Sequence, residues 1–216
     1  MTSSTVIVLT GGLAGAVALG LTSWLRTLAG MRSRGLDRGV HVVLAALGGG
    51  AAAALAEQWL ELAALALLAV ACAALVVIDL ATCRLPDAIV GPTYPLLFGL
   101  LLTAAAVAGD WDRLLRAVAG AGLTVLVYLV LALIRPDLGL GDVKLSGLLG
   151  AFLAWLGWWQ LVYGTLAGFV LAGTYAAGLL VTRRATRRSD IPFGPWMVLG
   201  AVVGAVVGAL GVPGGR

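Results

Sequence analysis

Apolar runs of about 20 residues recur along the whole chain, separated by short polar breaks. A run of that length, wound as helix, crosses a hydrocarbon layer ~30 Å thick. The pattern predicts an all-α, polytopic transmembrane helix bundle of about eight spans, at roughly 5–25, 39–56, 59–78, 88–108, 114–134, 144–160, 161–182 and 191–212. Two joins are nearly continuous, at Glu57-Gln-Trp-Leu-Glu61 and near Trp158-Trp159-Gln160, so the count becomes seven if one segment re-enters. No stretch leaves room for a soluble domain of useful size, and residues 1–216 read as a single transmembrane domain.

Composition strengthens this reading. Of 216 residues, 61% are hydrophobic and 11% charged, far from the balance of a soluble domain. Basic residues in short loops stay on the cytoplasmic side, which sets orientation. With the N-terminus outside, Arg26, Arg32, Arg34, Arg38, Arg84, Arg135, Lys144, Arg183, Arg184, Arg187 and Arg188 fall inside, and Arg113, Arg116 and Arg216 outside. Asp79 and Asp142 then share the inner face. The net charge of +4 gathers beside helix ends, where membrane lipid is the partner and nucleic acid is not. Met1-Thr-Ser-Ser-Thr5 lacks the basic start of a signal peptide, so the first segment is expected to remain as an anchor.

Small residues at four-residue spacing, Gly11 with Gly15 and Gly200 with Gly204 and Gly208, mark helix faces that approach closely. Trp59, Trp111, Trp158 and Trp159 sit near the outer boundary, where indoles belong. Cys72 and Cys83 form no C-x-x-C unit and no disulfide framework. Cys72 reads as core filler, and His41 is expected on the opposite leaflet side of its helix or buried within it, which argues against a Cys–His enzyme. No metal or other cofactor is expected, because the chain lacks a His or Cys cluster to hold one.

The chemistry is concentrated in two acidic motifs. In Asp79-Leu-Ala-Thr-Cys-Arg-Leu-Pro86-Asp87 the first Asp ends an apolar span, Pro86 forces a turn, and Asp87 is placed to cap the next helix. In Gly139-Leu-Gly141-Asp142-Val-Lys144 the glycines free the backbone after Arg135-Pro-Asp137 and keep bulk away from the carboxylate. An ionised Asp at membrane depth costs at least ~2.5 kcal/mol, so acids there serve transport, ion binding or chemistry. Two carboxylates within hydrogen-bond distance share a proton, and such a pair hydrolyses peptides: one takes a proton from water while the other polarises the scissile carbonyl. Lys144 reads equally as a group near Asp142 and as a side chain snorkelling to the lipid surface.

These motifs resemble the type IV prepilin peptidases, polytopic aspartic proteases of the GxGD type. The shared features are Asp79 ahead of Pro86-Asp87, the G-x-G-D-x-K pattern of Gly139, Gly141, Asp142 and Lys144, and Ile191-Pro-Phe-Gly-Pro195, similar to the opening of that family's last helix. The resemblance runs from about residue 65 to 212. It implies catalysis by Asp79 and Asp142, with Pro86, Asp87, Gly139, Gly141 and Lys144 in support. It further implies a prepilin or pseudopilin substrate, cleaved after a Gly at the cytoplasmic face of the bacterial inner membrane.

Longer members carry a cytoplasmic region after the first helix, often with two C-x-x-C pairs, associated with N-methylation. Here that place holds only the thirteen residues from Arg26 to Arg38, which argues against methyltransferase activity. Two other readings compete. A presenilin-like or signal-peptide-peptidase-like protease also uses G-L-G-D, but Asp79 follows Ile78 instead of Tyr and no Pro-Ala-Leu follows Asp142. A small transporter would favour acids near the bilayer midplane, whereas both aspartates are expected at one rim.

Overall fold

Gly20, Gly39, Pro86, Gly109, Gly139 and Gly157 punctuate the apolar runs, and each stands at or beside the end of a helix. The computed structural model describes residues 3–29, 36, 38–134, 139–183 and 192–210. Among them the regular structure is helical, without strands. In chain order the helices are α1 (Ser4–Gly20), α2 (Thr22–Ala29), α3 (Val40–Leu55), α4 (Trp59–Thr82), α5 (Asp87–Ala108), α6 (Trp111–Ile134), α7 (Leu140–Leu156), α8 (Trp158–Val181) and α9 (Gly194–Ala209). They divide into two compact units, Met1–Trp111 and Asp112–Arg216.

In the first unit α4 is the central helix, packed by α3 and α5 with α1 and α2 at its side. Small side chains make this possible: Ala18, Ala45 and Ala73, from α1, α3 and α4, form one buried cluster. The expected close approach at Gly11 and Gly15 is found, since a Cβ at Gly11 would lie 2.8 Å from the Ala46 carbonyl oxygen and one at Gly15 would lie 3.3 Å from the Ala46 methyl. The α3–α4 side of the unit is closed by polar groups at the α4 N-terminus. There the buried Glu61 carboxylate accepts the Glu57 backbone N–H (2.9 Å), and the Gln58 amide donates to the Ala104 carbonyl of α5 (2.9 Å).

The second unit is built on two pairings. Gly200 and Gly204 of α9 face Gly164 and Gly168 of α8 so closely that a Cβ on either would strike backbone, and Gly208 meets Gln160. In the other pairing, α6 and α7 run antiparallel with a regular four-residue register. The Arg116 guanidinium donates to the Ala154 carbonyl, Gly120 faces Gly150, and the Thr124 hydroxyl donates to the Ser146 carbonyl (2.9 Å). Arg116 and Arg113 also engage the Trp155 carbonyl, and the Arg113 guanidinium lies 4.6 Å over the Trp155 ring. These cations neutralise the last carbonyls of α7, where positive charge is favoured.

Helices fall on all eight expected apolar segments, but length does not carry the count of eight spans. Four helices, α4, α5, α6 and α8, are long and apolar enough to cross a membrane, or five if α1 and α2, bent by 50°, form one span. Helices α3 and α9 have 16 residues each and rise about 24 Å, less than the ~30 Å hydrocarbon layer. One expected boundary is corrected. The sixth and seventh segments divide at Gly157, not at Trp158-Trp159-Gln160, because Gly157 closes α7 and Trp158 already opens α8. Trp59, Trp111 and Trp158 each begin a helix with an exposed indole, as membrane-boundary tryptophans do.

Candidate active site

Each acidic motif occupies a helix end, one in each unit. Asp79 lies in the last turn of α4 and is only 3% exposed. The helix stops at Cys83, which takes the left-handed conformation (φ 49°) and donates its N–H to the Asp79 carbonyl (2.8 Å). A glycine usually performs this stop; here a non-glycine does so directly behind the carboxylate. Thr82 steadies the same turn through its hydroxyl, which donates to the Ile78 carbonyl (2.9 Å).

Pro86 follows with φ −70° and ψ 128° and serves as the cap residue of α5, its carbonyl accepting the N–H groups of Ile89 (3.0 Å) and Val90 (3.2 Å). The expectation that Asp87 caps α5 is therefore corrected. Asp87 is the first helical residue, exposed, in the turn where the helix dipole favours an acid. Proline takes the cap because its fixed φ suits the extended conformation there and the cap needs no N–H. Arg84 and Cys83 are exposed between the two helices.

In the second unit Gly139 is the extended cap residue of α7 and accepts the Asp142 N–H at its carbonyl (3.0 Å). Asp142 stands in the first turn, half-buried, at the positive dipole end of the helix. The use of glycine at 139 is spatial. Its φ of −67° is open to any residue, but a Cβ there would sit 3.5 Å from Asp142 Oδ2, so a larger side chain would extend over the carboxylate. Gly141 is half-buried and Lys144 exposed. Arg135-Pro-Asp137 lies outside the described residues, as does Ile191 of the Pro-Phe-Gly-Pro segment.

The remainder of that segment opens α9, with Phe193 as its cap residue and Pro195 in the first turn. Phe193 joins an aromatic cluster with Tyr128 of α6 (centroids 6.1 Å) and Phe169 of α8 (5.6 Å), and Tyr128 stacks on Phe169 at 5.2 Å. Sequence reasoning missed Tyr128, Phe169 and Thr124. The signal available was the spacing Gly120, Thr124, Tyr128, a small and polar stripe on an otherwise apolar helix.

Other candidates resolve into structural roles. His41 is 1% exposed, buried as one of the two expectations had it, with Nε2 2.9 Å from the Thr22 hydroxyl. Cys72 is buried in α4. Among the described residues no three His, Cys, Asp or Glu side chains gather closely enough to hold a metal ion.

Comparison with known proteins gives a consistent family. Residues 66–177 match the model of the type IV leader peptidase family. The chain is 37% identical over 166 residues to the prepilin leader peptidase/N-methyltransferase of Aeromonas hydrophila, covering 74% of this chain and 54% of that protein. It is 36% identical over 134 residues to the leader peptidase HopD of Salmonella typhimurium, covering 60% of this chain and 81% of that one. The chain thus spans about half the length of the Aeromonas relative. No solved structure matches it.

Proposed function

Because the chain belongs to the type IV leader peptidase family, we propose that it is a multi-pass aspartic endopeptidase of the bacterial inner membrane that removes the leader from type IV prepilins or pseudopilins. The observation that carries this reading is that one matched stretch, 66–177, contains both helix-end carboxylates, Asp79 and Asp142. In this reading the two acids meet at the cytoplasmic rim, where the distribution of Lys and Arg puts them both, and hold one proton between them.

The ionised member takes a proton from water as the water oxygen attacks the scissile carbonyl carbon. The other gives its proton to the carbonyl oxygen, forming a tetrahedral diol. Collapse breaks the C–N bond, and the proton taken from water passes to the departing amine. The products are the leader's new carboxylate and the mature chain's new N-terminus, with no cofactor. Gly139 keeps the flank of Asp142 open for an extended peptide, the substrate's apolar helix waits in lipid beside the exposed apolar faces, and Lys144 reaches the lipid surface.

Asp79→Asn and Asp142→Asn test this directly. Each is expected to abolish cleavage of a co-expressed prepilin, a loss of at least about a thousandfold, while membrane insertion and the thermal unfolding midpoint stay near the parent's. Cleavage retained in either variant would overturn the paired mechanism.

A further inference from the structure

The four-residue register of α6 against α7 continues one step beyond the contacts already described. From Arg116 opposite Ala154, through Gly120 opposite Gly150, to Thr124 opposite Ser146, each turn forward on α6 is matched by one turn back on α7. The next pair in that series is Tyr128 and Asp142. We propose that Tyr128 is a positioning residue of the peptidase site, its hydroxyl donating a hydrogen bond to the Asp142 carboxylate from across the α6–α7 pair.

Three further observations favour this role. Tyr128 is 3% exposed although its helix otherwise carries many exposed apolar side chains, so its ring is held in the interior of the unit. Its ring is held on two sides, by Phe169 and Phe193, which restricts the directions in which the hydroxyl can point. The anchoring turn of α7 is itself fixed, since the Ser146 hydroxyl donates to the Val143 carbonyl (2.7 Å) while the Ser146 carbonyl accepts from Thr124. A donor to one carboxylate oxygen favours the ionised form and leaves the other oxygen for water. Tyr128 thus makes Asp142 the member of the pair that receives the proton, and the Pro-Phe-Gly-Pro segment gains a purpose: Phe193 holds the tyrosine.

This inference rests on the peptidase reading and is tested separately from it. The full chain is reconstituted with a type IV prepilin in phosphatidylethanolamine–phosphatidylglycerol vesicles, and cleavage is followed across pH. Tyr128→Phe keeps the ring stack and removes only the donor. It is expected to lower kcat about ten- to a hundredfold with KM little changed. Loss of a donor to the ionised form also moves the acidic limb of the pH profile to higher pH.

Replacing Tyr128 with 3-fluorotyrosine, a stronger donor of nearly the same size, is expected to move that limb the other way, and it decides the matter should Tyr128→Phe fold poorly. An unshifted acidic limb in the folded variants, with the parent active and both Asp→Asn variants inactive, would overturn the role of Tyr128 alone. An inactive parent, or cleavage surviving in the Asp→Asn variants, would instead remove the peptidase reading beneath it.

Discussion

Asp79 and Asp142 differ in setting although the proposal gives them one task. Asp79 is enclosed in the last turn of α4, at the negative end of a helix, while Asp142 is half-exposed in the first turn of α7, at a positive end. Both were legible because an acid at the end of an apolar run is costly and stands out against its surroundings. The role of Gly139 was legible only in part. A need to keep bulk away follows from the sequence, but the 3.5 Å between its virtual Cβ and Asp142 Oδ2 is a property of the turn. Gly139→Val is therefore expected to reduce kcat/KM for a prepilin by about tenfold or more through crowding of the carboxylate, with the unfolding midpoint in detergent nearly unchanged. Wild-type cleavage by this variant would show that the flank of Asp142 is not used.

At the scale of the element, the α6–α7 pair shows how position on a helix decides the meaning of a glycine. A Cβ at Gly120 would collide with the Ala154 methyl and approach the Gly150 carbonyl to 3.0 Å, whereas one at Gly122, two residues on, would meet nothing within 4 Å. Gly120→Ala is expected to destabilise the protein by about 1–3 kcal/mol through overpacking. Gly122→Ala is expected to leave stability unchanged or raise it by up to about 1 kcal/mol, because alanine is the better helix former. Thermal unfolding in detergent of the two variants side by side checks the contrast, and equal midpoints would contradict the close pairing of α6 with α7. The sequence marked Gly200, Gly204 and Gly208 for close packing by their spacing, and the structure supplies the partners Gly164, Gly168 and Gln160. Gly120 and Gly150 belong to no such run of glycines, and that they face each other emerged only once their helices were paired.

For the whole molecule, the distribution of Lys and Arg predicts a topology that a native thiol can test. Cys83 is exposed at the end of α4, four residues from Asp79, while Cys72 is buried three turns earlier. A membrane-impermeant maleimide is expected to label one cysteine in inverted inner-membrane vesicles and none in intact spheroplasts, with Cys83→Ser abolishing the signal. Labelling from the outer side would reverse the orientation and remove Asp79 from the cytoplasmic face. The distribution of charge was readable from sequence because positive charge in short loops acts locally. Helix lengths were less readable, because the chain's abundant Gly and its Trp residues belong to helix interiors and helix starts alike, as Gly157 and Trp158 illustrate.

By itself the sequence determined the helical membrane class, the eight apolar segments, the two carboxylate motifs and the family resemblance. Each of these is written in local composition, in run length, or in residues close together along the chain. Tertiary structure decided that Pro86 and not Asp87 caps α5, that α3 and α9 are shorter than a hydrocarbon layer, and that Tyr128, Phe169 and Phe193 form one cluster. It also decided the register that carries Thr124 to Ser146, on which the proposed pairing of Tyr128 with Asp142 rests. The physical reason is that a helix presents several faces of similar apolarity to lipid and to its neighbours, and which face pairs is settled by the fit of small residues and the few polar groups that must find partners.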